Sequence, residues 1–281
     1  MAEVEPMEIG LVVWAEENAA TTISYLKSFG LRAMQLGVPP AVDCARALPE
    51  WKAELAKSDV IVTGAVCSYA GEDYSNMERV HESVGFTTPK YRAERAARTK
   101  DVADFAHALG IGSVSCHIGF IPEDASTPLY EELVELTRDL CDACAGFNQN
   151  FVLETGQESA SVLLRFIADV RRPNLKVNFD PANMILYGSG DPIQALSMLS
   201  EHVLSVHCKD GHSPEQAGSL GKECALGDGE VAFPAFLKQL KSMGYKGALT
   251  IEREEPNIER KNADVRMAIE RLKAWKAQSQ L

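Results

Sequence analysis

The chain has 281 residues, 46% of them hydrophobic and 24% charged. That is enough to bury a large core, and it suits one α/β barrel, typically about 250 residues. Its 40 acidic against 28 basic residues give a net charge of −12, which repels a phosphate backbone and sets nucleic acid aside as a partner. The acidic start, MAEVEPMEIG, has no basic or apolar leader region, and no apolar run approaches about 18 residues, so the expectation is a cytoplasmic protein with no membrane segment.

Apolar runs alternate with amphipathic segments from end to end, without a linker or low-complexity stretch, which predicts parallel βα units in a single domain over residues 1–281. The first strand is predicted at 8–14 (EIGLVVW), followed by a helix over 18–29 that stops at Gly30. LRAMQLG leads through Pro39 and Pro40 to a helix over 43–57. The third strand, 59–66, precedes a polar stretch at 68–88, predicted as a long loop acting as a lid or a subunit contact. A helix over 89–109 leads to GSVSCHI, the fourth strand, ending at His117, and the next helix spans 128–147.

NFVLET and LKVNFD are strands five and six, with helices beginning near Ser159 and Asp191. VLSVHC is strand seven; a glycine-containing loop over 209–230 separates it from the helix VAFPAFLKQLKSMG. GALTIE is strand eight, and a helix over 258–277 closes the pattern. Eight strand–helix pairs predict a closed (β/α)8 TIM barrel. An open nucleotide-binding sheet would want G-x-G-x-x-G after its first strand, and none is there. Seven irregularly spaced cysteines make no disulfide framework, and Cys141 and Cys144 read as two thiols one turn apart on a helix face.

Four of these strands end in hard metal-ligand residues: Glu154 closes FVLE, Asp180 closes VNFD, His207 closes VLSVH and Glu252 closes ALTIE. Their spacings are 26, 27 and 45 residues, the first two matching one strand, one helix and two short loops. An acid after a strand often only caps the next helix, as Asp180 before Pro181 could. Four in succession favour a shared site at the C-terminal mouth, where three carboxylates and an imidazole suit Mn²⁺, Mg²⁺ or Zn²⁺. Trp14, Gln35, His117 and Asn183 fall at the same end. Trp14 is either an apolar wall for a substrate or barrel-mouth packing, and Gln35 either a hydrogen-bonding contact or a satisfied loop residue. His117 is expected to bind a substrate oxygen or transfer a proton, and Lys209 to neutralise an oxyanion, whereas Asp210 reads as structural.

The set Glu154, Asp180, His207 and Glu252, with the phrases CHIGFIPE, LET, NFDPANMILYGSGDP, SVHCKDG, LGDGEV and TIERE, resembles the sugar phosphate isomerase/epimerase group of the xylose-isomerase-like barrel superfamily. The resemblance covers nearly the whole chain. It implies one divalent ion, most often Mn²⁺ with Mg²⁺, Co²⁺ or Zn²⁺ as alternatives, held by one ligand from each of the last four strands, and a keto sugar or keto polyol as substrate. Ketose 3-epimerases of that superfamily place a His three residues after the metal Asp, where this chain has Asn183. They also carry a Glu six residues beyond the first metal Glu; here that position is Ala160, and Glu158 is the nearby candidate for substrate contact. The wording is closer to members acting on inososes or 3-keto-glycosides.

A cation chelating a carbonyl and its neighbouring hydroxyl acidifies the α C–H, so Glu154 and Glu252 are the expected bases of an isomerase or epimerase. The alternatives are a lyase, with His117 or Lys209 as acid to a leaving β-oxygen, and a carbohydrate-binding barrel without turnover. The expected partner is a small carbohydrate, and self-association into a homo-oligomer is left open.

Overall fold

A computed structural model describes residues 4–16, 18–216 and 218–278. The first three residues of the acidic start and Ala217 in the 209–230 loop lie outside the described residues. The strands are β1 (Ile9–Trp14), β2 (Ala33–Val38), β3 (Ile61–Cys67), β4 (Ser113–Cys116), β5 (Asn150–Glu154), β6 (Leu175–Phe179), β7 (Val203–Cys208), β8 (Asp210–His212), β9 (Lys222–Cys224) and β10 (Leu249–Ile251). Eight of them close a parallel barrel in the order β1-β10-β7-β6-β5-β4-β3-β2, while β8 and β9 pair antiparallel outside it. The strands that carry the four ligand candidates, β5, β6, β7 and β10, are therefore consecutive around one rim.

The helices are α1 (Ala19–Lys27), α2 (Cys44–Ala56), α3 (Met77–Ser83), α4 (Pro89–Ala108), α5 (Pro128–Ala145), α6 (Ala160–Val170), α7 (Pro181–Tyr187), α8 (Pro192–Leu199), α9 (Phe233–Ser242) and α10 (Ile258–Gln278). Most starts are chemically marked: the side chains of Asn18, Asp43, Thr127, Ser159 and Asp191 each accept from a backbone N–H of the first turn. Cys141 and Cys144 are free and buried on α5, where burial pushes each thiol up to about 12, so neither is a thiolate at neutral pH.

Three short elements depart from the expected scheme. Helix α7 follows β6 directly, because Asp180 caps it, Pro181 starts it and Gly188, at φ 66°, ends it. The 209–230 loop contains the β8–β9 pair. The 68–88 stretch contains α3, capped by Asn76, and is tied down over its length. Glu72 accepts from the backbone of Tyr69 (3.2 Å) and Gly85 (2.9 Å), and buried Arg95 donates to the carbonyls of Ala70 and Gly85. At Gly85 (φ 67°) an added Cβ would lie 2.1 Å from the Ile118 carbonyl carbon, so only glycine lets this stretch reach the segment after β4. These contacts join the stretch to α4 and to the segment after β4.

Candidate metal centre

Glu154 is the last residue of β5, Asp180 follows β6, His207 is the penultimate residue of β7 and Glu252 follows β10. Backbone ladders carry all four to one depth: Glu154 sits beside Asn178, His207 beside Thr250, and Glu252 N donates to Cys208 O at 3.3 Å. Thr155 locks the β5 and β6 ends together, its hydroxyl donating to Asp180 O (3.0 Å) and accepting from Asp180 N (2.8 Å).

One ligand atom from each residue lies within 4.8 Å of all the others. His207 Nδ1 is 3.1 Å from Glu252 Oε2, 3.2 Å from Glu154 Oε1 and 3.5 Å from Asp180 Oδ2. Asp180 both caps and points inward: Oδ1 accepts from Ala182 N (2.8 Å) and Asn183 N (3.0 Å), while Oδ2 is buried without a partner. His207 Nδ1 is likewise buried with no aligned hydrogen-bond partner. Two orphaned donor atoms converging with two carboxylates fit a divalent cation taking oxygen and imidazole ligands.

The electrostatics point the same way. Burial opposes charge on His207, yet Glu252 and Glu154 outweigh it and hold the imidazole well above its ordinary range. Burial also opposes the carboxylates; His207 and Lys209 pull Glu252 well below its usual value, and His207 with His117 lowers Glu154. At Asp180 burial prevails over the His207 hydrogen bond and Lys209, and its pKa is raised. A proton on His207 therefore stands in this cluster where a metal's positive charge would act.

The other mouth residues divide by location. His117, just beyond β4, brings Nε2 to 3.7 Å from Glu154 Oε1, with Nδ1 buried and unpartnered. Asn183 Nδ2 donates to the same Oε1 at 3.0 Å. Lys209 is buried, its ammonium shared between Glu252 Oε2 (3.1 Å) and Glu254 Oε2 (2.8 Å). Trp14, 38% exposed, lines a cavity of about 380 Å³ with Glu252, Glu254 and Pro256. Its ring lies flat on β2, where a Cβ at Gly37 would meet it at 2.4 Å. Glu158 is buried with both carboxylate oxygens unpartnered, and burial pushes it up to about 8, so it is mostly neutral at pH 7. Gln35 is no loop residue: it is buried in β2, and its carboxamide is turned to the far side of His207. Asp210 is structural, its buried carboxylate accepting from Gly211 N (2.9 Å), Gly227 N (2.8 Å), Gly229 N (3.1 Å) and Val231 N (3.0 Å).

Sequence reasoning missed Gln157, both of whose amide atoms are buried and unpartnered, and an aromatic flank. Tyr74 lies 5.7 Å from the His117 ring, and Phe120 lies 6.1 Å from Tyr187 and stacks on His81 at 3.5 Å. Phe120 was legible as an aromatic three residues past His117. Tyr74 came from the stretch read only as polar.

Residues 23–275 match the profile of the family described as "Xylose isomerase-like TIM barrel". The crystal structure of a xylose isomerase domain protein from Planctomyces limnophilus is 37% identical, covers 98% of this chain and 99% of its own, and has a TM-score of 0.93. The L-ribulose 3-epimerase of Methylomonas sp. (strain DH-1) is 27% identical over 199 residues, which are 62% of this chain and 64% of that one. The 3-keto-D-glucoside 4-epimerase of E. coli shares the fold, with a TM-score of 0.68 at 16% identity, covering 95% of this chain and 99% of its own. The chain spans about half to two thirds of the length of the curated relatives it matches. Among the described residues no helix is long and apolar enough to cross a membrane.

Proposed function

Because the chain belongs to the xylose isomerase-like TIM-barrel family, we propose that it is a divalent-metal-dependent isomerase or epimerase acting next to the carbonyl of a keto sugar, inosose or 3-keto-glycoside. The observation that carries this reading is the convergence of Glu154, Asp180, His207 and Glu252 from four consecutive strand ends, with ligand atoms within 4.8 Å. Relatives named as epimerases of keto or ketose sugars support the substrate class. The four residues would hold one ion, Mn²⁺ preferred over Mg²⁺, Co²⁺ or Zn²⁺. When bound, that ion withdraws electron density from a substrate carbonyl and acidifies the adjacent C–H.

The chain's own residues then handle the proton. Glu154 and Glu252 approach His207 from β5 and β10, on opposite flanks of the β6–β7 rim, so each offers its second oxygen from a different side. Removal by one and return by the other inverts a carbon, and return to the neighbouring carbon isomerises. Lys209 keeps Glu252 ionised, and Asn183 fixes the orientation of Glu154. His117 exchanges a proton with a substrate oxygen. Glu158, neutral and unpartnered, donates to or accepts from a substrate hydroxyl, and Trp14 covers an apolar face of the sugar.

The test is a panel of keto sugars incubated with the Mn²⁺-loaded chain in D₂O. The expected result is deuterium at the carbon next to the carbonyl without loss of water or aglycone. An unsaturated product would instead make the protein a lyase with His117 or Lys209 as acid. Tight binding with no exchange across the panel would make it a binding barrel.

A further inference from the structure

Only Nδ1 of His207 faces the carboxylates, so whether that atom can hold a cation depends on what the other ring nitrogen does. On that side Nε2 lies 2.7 Å from Gln35 Oε1 and 3.1 Å from Asn178 Nδ2. Asn178 Oδ1 in turn accepts from Ser205 Oγ at 2.6 Å and from Gln35 Nε2 at 3.3 Å. In this arrangement Gln35 turns its nitrogen to Asn178 and its oxygen to the ring. Of the two contacts on Nε2, the one with the Gln35 oxygen is shorter, and a carboxamide oxygen can only accept. Nε2 keeps its hydrogen, and Nδ1 is the nitrogen that gives up its proton when a metal takes its place.

The backbone is built around this contact. The β2–β3 ladder shifts register between Met34 and Gln35, and the β6–β7 ladder shifts between Val177 and Asn178. Thr63 and Leu204 are the residues left over on the partner strands. Bulges of this kind re-aim side chains and gather near active sites. The skipped Leu204 puts Ser205 opposite Asn178, two residues before His207 and so on the same face of β7. Gln35 and Asn178 are both buried, where an unused carboxamide would be destabilising.

We infer that Gln35 is a positioning residue of the metal centre: held by Asn178 and Ser205, its carboxamide oxygen takes the Nε2 hydrogen of His207 and reserves Nδ1 for a divalent cation. The inference rests on the metal-binding reading above. The experiment strips the full chain with EDTA and titrates it with Mn²⁺ by calorimetry at neutral pH, for wild type, Gln35→Met and Ser205→Ala. Gln35→Met keeps the volume and removes the acceptor, and its Mn²⁺ affinity should fall about 10- to 100-fold. Ser205→Ala should weaken Mn²⁺ binding less, in the same direction. In the Zn²⁺-loaded wild type the His207 Nε2 proton should give a slowly exchanging ¹⁵N-coupled NMR signal, lost in Gln35→Met.

A purely structural Gln35 would lower the melting temperature of the metal-free variant and leave the Mn²⁺ affinity unmoved; that result in folded Gln35→Met overturns the inference while sparing the proposed function. Should Gln35→Met not fold, unchanged Mn²⁺ affinity in Ser205→Ala overturns it equally. A wild-type chain that binds no Mn²⁺ removes the metal-binding reading, and this inference with it.

Discussion

Asp180 caps a helix with one oxygen and leaves the other available to a cation, which explains why capping and metal binding could not be told apart from the chain alone. Oδ1 closes the α7 N-terminus and Oδ2 is left buried and unpartnered beside His207. At the same scale, Glu154→Gln or Glu252→Gln removes a proton acceptor while keeping the shape, and turnover should drop about 10²- to 10⁴-fold. Near-normal kcat in either variant, measured by deuterium exchange, would remove it as a base. Glu158 gives a pH prediction. Burial raises its folded value to about 8 from 4.5, so the folded chain keeps a proton that the unfolded chain releases. Its contribution is fully present below pH 4.5, declines as pH rises and is gone above about pH 8. Glu158→Gln should therefore gain stability relative to wild type across that window and level off above it. A gap between the two melting curves that stays constant with pH would contradict this.

Among elements, the βα period located every strand that carries a ligand candidate, because an all-parallel barrel buries its strands as continuous apolar runs that stand out between polar helix faces. The short elements were less legible. Helix α7 spans only Pro181–Tyr187, too few residues for an apolar period, and its capping Asp had already been read as a ligand. The β8–β9 pair is three residues a side and depends on Asp210, which accepts from its neighbour Gly211 and from three backbone N–H groups of the loop that returns 17 to 21 residues later. Charge-assisted bonds of this kind are individually strong. Asp210→Ala should destabilise the chain by about 3 kcal/mol or more in denaturant melts and expose the 209–230 loop to limited proteolysis. An unchanged midpoint would mean that the loop is held by other contacts.

For the whole molecule, a buried cluster of three carboxylates and one imidazole would tie stability to a cation held there. Saturating Mn²⁺ at a hundredfold excess over Kd should stabilise the fold by about 2.7 kcal/mol, reversed by EDTA. His207 sets the sign with pH. Its folded value lies well above the ordinary one, because Glu252 and Glu154 outweigh burial, so its proton supports the metal-free fold at low pH and is lost as pH rises through that folded value. The rise in melting temperature on adding Mn²⁺ should therefore grow from acid toward alkaline pH, and a rise that shrinks instead would place the ion elsewhere.

The strand ends and the four ligand candidates on them were readable in the chain, because side-chain type and βα spacing are local properties that survive any detail of packing. That Gln35, 172 residues from His207, lies against its ring emerges only on folding. That contact depends on barrel closure and on two one-residue register shifts, and a shift that exchanges the faces of a strand leaves no trace in hydrophobic periodicity when both faces are buried.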